Sequence, residues 1–156
     1  MQTFLPYADF AQSAKVLDKK RCWKQVIEAK QIIEILEGKS TKWKNHPAIK
    51  MWEGSLPELK FYFNAFLISA TGNYKINTKL EPFLNLKEFY PRVTIYNSVK
   101  LKLPWWLGNE DFHRAMRARL IEKDREFYLP LFPKDEGFND GKYFWPVMET
   151  KTFRII

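Results

Sequence analysis

A mainly α-helical fold, a compact single-domain bundle with an N-terminal arm and an irregular aromatic tail, follows from three features of the sequence. Residues 17–36 carry apolar side chains at helical spacing, residues 56–70 are apolar on nearly every side behind a helix-start signal, and residues 110–127 pair an apolar seam with basic margins. At 156 residues and 46% apolar composition the chain can bury one substantial core, so a single domain over residues 1–156 is expected.

Taken in order, MQTFLPYA contains Pro6 and no amphipathic period, and reads as an extended arm laid on the core. Asp9 can cap a helix over residues 10–37 that Gly38 ends. Within it Cys22, Val26, Ala29, Ile33 and Leu36 share one face. Arg21, Gln25, Glu28, Ile32 and Ile35 form the adjoining row, which places a carboxylate between polar and apolar neighbours. Glu28 has two readings: a partly buried group fit for acid–base work, or a surface glutamate paired with Lys24 four residues earlier.

The stretch KSTKWKN is a polar basic loop with one aromatic, Trp43, and Pro47 suits the first turn of a short helix, AIKMW. Ser55 and Glu58 have capping-box spacing ahead of a helix over residues 56–70, expected to be the central buried one. Residues 84–90 could form one or two helical turns closed by Pro91. Residues 93–102 alternate in apolarity, as a short strand or hairpin would, but an extended basic loop fits equally. Trp105 and Trp106 form a turn read as a hydrophobic plug between helices. Asn109 caps the basic helix over residues 110–127, where His113, Arg114 and Arg117 line one edge and Arg119 and Lys123 another. These side chains either reach phosphates or form a solvated face paired with the helix's own acids. The proline- and glycine-broken tail either wraps the core or offers rings to bases.

The balance of 26 basic against 18 acidic residues, a formal +8, makes a polyanion the first suspected partner, with plain solubility as the alternative. No apolar stretch long enough to span a membrane and no signal-peptide order is seen, so a protein of the cytoplasm is expected. The lone Cys22 excludes an internal disulfide, and with only His46 and His113 beside it no metal or other cofactor is expected. Repeats, a Gly-rich phosphate loop and a Ser-His-Asp pattern are absent from the sequence.

Four short blocks in order carry a family resemblance: Leu17, Arg21, Gln25, Glu28 and Ala29; Asn45-His46-Pro47 with Trp52; Leu107-Gly108; and His113, Arg117 and Lys123. The chain resembles, from Met1 to about Trp145, the pyrimidine-dimer DNA glycosylase (endonuclease V) family, in its small bacterial and phage branch. That likeness implies a helical domain whose N-terminus lies against the helix bearing a catalytic glutamate. It implies a DNA glycosylase with associated strand-cleaving (AP-lyase) activity, in which the first residue's amine attacks C1′, expels the base and leaves a Schiff base.

The catalytic candidates are then Met1, Gln2, Glu28 and Arg21, with the amine of Met1 as nucleophile, or that of Gln2 if Met1 is removed. Candidate DNA contacts are Gln25, Lys42, Lys44, His46, His113, Arg114, Arg117, Arg119 and Lys123. An α-amino group has a reference pKa near 8 against about 10.4 for lysine, so roughly a tenth of such an amine is uncharged at neutral pH. The implied partner is damaged or modified double-stranded DNA, bound by a monomer in a bacterial or phage-infected cell, without a cofactor. Val26, Ile27, Ala115 and Met116 depart from the family's usual polar or basic residues, which leaves a photodimer, a modified base or an undamaged base open as target. The rival reading is a non-catalytic DNA-binding module that retains the fold.

Overall fold

The computed structural model describes residues 1–83 and 103–156. The readings made for residues 84–90 and 93–102 fall outside them. The described fold is mainly helical. After the arm come α1 (Phe10–Val16), α2 (Lys19–Leu36), α3 (Pro47–Lys50) and α4 (Leu56–Gly72); after the undescribed stretch come α5 (Glu110–Lys123), α6 (Arg125–Tyr128) and a hairpin of β1 (Phe144–Val147) and β2 (Thr152–Ile155).

The helix expected over residues 10–37 is two helices. Leu17 is extended and Asp18 takes the N-cap position of α2, its carboxylate accepting from the Arg21 N–H at 3.0 Å. The Tyr128 hydroxyl donates to the same carboxylate and accepts from the Asp18 N–H, so the chain turns where a capping acid meets a distant side chain. Gly38, at φ 77°, follows the end of α2 as the sequence requires. The basic helix breaks for the same reason. Asp124 leaves helical geometry and caps α6 through the Phe127 N–H at 3.1 Å, so α5 stops at Lys123 rather than at residue 127.

α4 is the central element, packed on both α1 and α2. Leu59, Tyr62, Phe66 and Ala70 are each 0–1% exposed. Ser55 stands at its N-cap without the hydroxyl bond of a capping box, at φ −128° and ψ 35° rather than the extended geometry such a bond needs. Beside α4 the rings of Phe10, Tyr62, Trp52 and Trp106 meet edge to face or tilted. Trp106 is fully buried and donates to the Met51 carbonyl at 3.0 Å, the plug that the sequence suggested.

The tail is less irregular than expected: β1 and β2 pair antiparallel from Phe144↔Ile155 to Val147↔Thr152, and β1 lies against α3 and α5. Pro146 inside β1 and a non-glycine Lys151 at φ 52° in the turn hide the strand pattern in the sequence.

Candidate active site

The site is built from the arm inward. Residues 3–5 are buried, and each lies in the grip of a side chain from another element. Trp52 Nε1 donates to Thr3 Oγ1 at 3.0 Å. The Phe4 N–H donates to Gln25 Oε1 at 2.9 Å while the Tyr62 hydroxyl donates to the same oxygen at 2.5 Å. His113 Nδ1 lies 2.8 Å from the Leu5 carbonyl, and the Arg117 guanidinium donates to the Pro6 carbonyl at 2.7 Å. A buried arm without a sheet partner must satisfy its backbone groups through side chains, and Gln25, His113 and Arg117, with the Tyr62 hydroxyl 3.3 Å from the Phe4 carbonyl, supply those bonds.

So anchored, the chain's first two residues meet Glu28. The Met1 nitrogen is 3.7 Å from Oε1, and the Gln2 N–H donates to Oε2 at 3.2 Å. Gln25 Nε2 donates to Oε2 at 3.1 Å, so one amide side chain holds both the arm and the carboxylate. Lys24 Nζ lies 3.8 Å from Oε1, so the surface pairing weighed from the sequence coexists with the buried one; Glu28 itself is 7% exposed. The Gln2 side chain also donates to the Tyr143 hydroxyl, just before β1.

Cations surround this carboxylate. Burial pushes the Lys123 ammonium below the usual lysine range, and the charges of Arg119, Lys24 and Arg21 push it further, against the pull of Glu28. Arg119 is bound to the Tyr143 hydroxyl and to Glu122, which raise its affinity for a proton. Burial lowers His46, and the Met1 amine lowers it further. Its Nδ1 accepts from the Ala48 N–H at 3.1 Å, so His46 caps α3 in its neutral form.

Several sequence candidates are held elsewhere. Arg21 bonds Asp18 at 2.9 Å and the Lys123 carbonyl at 3.0 Å rather than Glu28. Burial lowers His113 as well. Its Nε2 accepts from the Gly108 N–H at 2.9 Å, which with the Leu5 contact fixes the proton on Nδ1 of a neutral ring. Arg117 is bound to Asp135 at 2.6 Å and Glu110 at 2.5 Å. His113 and Arg117, expected at phosphates, thus spend their polar atoms on the arm and on internal acids. Arg114 bonds Asp135 at 3.0 Å and stacks over the Phe138 ring, while remaining partly exposed. Lys42 and Lys44 stand exposed in the loop after α2.

Sequence reasoning missed Tyr62, Tyr143 and Asp135 as parts of this assembly. Tyr62 reads as one more ring in an apolar helix, and the other two lie in the tail, with no spacing that relates them to residues 1–6. Next to Met1 a cleft of about 150 Å³ is lined by Gln31, Glu34, Ile35, Ser40, Lys42 and Trp43. Among the described residues no three His, Cys, Asp or Glu side chains converge to hold a metal ion, and no helix is long and apolar enough to cross a membrane.

Compared with known proteins, the chain matches no curated protein and no solved structure. It does match the family described as pyrimidine dimer DNA glycosylase, over residues 1–81. That span contains the arm, Gln25, Glu28, Trp52 and Tyr62; the blocks on and before α5, which contributed to the resemblance, lie beyond it. With more than half of its 156 residues matched in this way, the chain belongs to the pyrimidine dimer DNA glycosylase family.

Proposed function

We propose that the protein excises a damaged or modified pyrimidine from double-stranded DNA and then cuts the strand, using the Met1 amine as nucleophile and Glu28 as the acid–base group, as a single-domain monomer. The observation that carries this reading is the 3.7 Å separation of the Met1 nitrogen and the Glu28 carboxylate, in a site where the next backbone N–H is also bonded to that carboxylate.

The uncharged amine forms a bond to C1′ as the bond from C1′ to the base breaks, and the base takes up a proton from water as it leaves. One proton of the new aminium passes through the Glu28 carboxyl to O4′ as the sugar ring opens, leaving a protonated Schiff base. Glu28 then removes a C2′ proton; the freed electron pair expels the 3′-phosphate, and water hydrolyses the Schiff base to restore the amine. At 3.7 Å the two groups need only one water or a small closure on DNA for these transfers. The surrounding Lys24, Arg119 and Lys123 supply positive potential for the phosphates.

Glu28→Gln keeps the size and the hydrogen bonds of the side chain but cannot shuttle the proton. It is expected to slow base release and strand cleavage by roughly 10²–10⁴-fold with little change in DNA affinity. Wild-type protein that binds DNA in a salt-dependent way yet releases no base from irradiated or modified duplexes would identify the non-catalytic module instead.

A further inference from the structure

The loop between α2 and α3 carries the most exposed large apolar side chain among the described residues, Trp43, at 68% exposure. Its backbone is left-handed, at φ 61°, a conformation that bulky side chains rarely adopt. The His46 N–H holds that turn by donating to the Trp43 carbonyl at 2.7 Å, and the His46 ring meets the indole edge-on at 6.1 Å. The fold therefore accepts an unfavourable backbone geometry and gains little burial of the indole in return. Strain kept at an exposed residue beside a reactive group is a mark of a functional position.

Three further observations say what the indole meets. Trp43 lines the cleft that Met1 also lines, so whatever rests on the ring lies beside the amine. Lys42 and Lys44 flank it and are both exposed, with no ion pair to either among the described residues, which suits a phosphodiester on each side of a stacked ring. Gln31 and Ser40 add an amide and a hydroxyl to the cleft wall, groups able to pair with a base edge. Alternating cations and an aromatic face are the chemistry by which single-stranded nucleic acid is held.

We infer that Trp43 is the stacking platform for the target nucleobase, which lies in the cleft beside Met1 with its edge towards Gln31 and Ser40 and its flanking phosphates on Lys42 and Lys44. The inference rests on the proposed attack at C1′, because it places the base where that attack must occur, but its test does not depend on the amine chemistry.

Affinity is measured in a Glu28→Gln background for two duplexes: one with a single thymine dimer, and the same duplex with a tetrahydrofuran abasic analogue in place of one dimer nucleotide. Trp43→Ala is expected to weaken binding of the dimer duplex roughly ten- to a hundredfold, the worth of one base–aromatic stack. It should leave the abasic duplex within about twofold, and Trp43→Phe should retain most of the affinity. Equal weakening on both duplexes, or none on the dimer, would overturn the proposal. Borohydride trapping on natural abasic DNA is read separately: a wild-type chain that traps nothing sinks the amine mechanism, while the binding comparison still decides the role of Trp43.

Discussion

Gln25 ties the arm, the central helix and the Glu28 carboxylate together through one side chain. Its carbonyl oxygen accepts from the Phe4 N–H and the Tyr62 hydroxyl, and its amide donates to Glu28. Gln25→Leu would leave the buried Phe4 N–H without its acceptor, while the Tyr62 hydroxyl keeps the Phe4 carbonyl and Glu28 Oε2 keeps the Gln2 N–H. It is expected to cost about 1–3 kcal/mol, the penalty of one buried polar group left unsatisfied, read as a lower urea midpoint. An unchanged midpoint would show that the arm is held by its other anchors alone. The two histidines give the site a pH dependence. Both are depressed, chiefly by burial, and both serve as neutral acceptors. A base depressed in the folded state binds fewer protons there than in the unfolded chain. The stability it contributes is therefore present above the unfolded pKa, about 6.5, and is lost as pH falls through the lower folded values. Unfolding free energy should fall between pH 7 and 5, and His113→Gln should shrink that slope; a flat profile would contradict the neutral assignments.

At the scale of elements, the apolar stripe from Cys22 to Leu36 and the all-round apolarity of α4 were legible because burial imposes its period directly on the chain. The two helix breaks were not. Asp18 and Asp124 interrupt otherwise continuous helical patterns, and each acts as a cap only because the chain around it is held by tertiary contacts, Tyr128 on Asp18 being the plainest case. Burial tends to raise the Asp18 carboxyl, but the bonds from Tyr128 and Arg21 outweigh it and hold the group below the usual carboxylate range. Asp18→Ala is expected to destabilise the fold by about 1–2 kcal/mol, a loss fully present above the unfolded carboxyl pKa of about 3.9 and fading as the pH falls through the lower folded value. The arm contacts were equally hidden, since Arg117 reaches Pro6 across most of the chain's length. Arg117 separates the sequence reading from the structural one. Removing this cation takes the donor from the buried Pro6 carbonyl and one of two cationic partners from Asp135, which keeps Arg114, at a cost of about 1–3 kcal/mol. Arg117→Met should therefore lower the melting temperature sharply and loosen the arm, whereas loss of a phosphate contact would weaken DNA binding and leave the melting temperature alone.

For the whole molecule, the +8 charge pointed to a polyanion, and the family match makes that partner DNA. The candidate site was legible in part. Glu28 stood out because a carboxylate sits on the border of a buried stripe, yet spacing alone could not separate a catalytic group from a partner of Lys24, and in the folded chain it contacts both Lys24 and Met1. That the N-terminus returns to α2 came only from the family resemblance, because no local pattern in an arm of eight residues records which distant side chains will bind it. Whether this returning amine performs the chemistry is decided by peptide mapping. The full chain is trapped with borohydride on DNA containing one abasic site, digested, and the sugar remnant located by mass spectrometry. The remnant is expected on the α-nitrogen of the N-terminal peptide. A remnant on a lysine side chain such as Lys123, or no adduct from the wild-type chain, would contradict the amine mechanism.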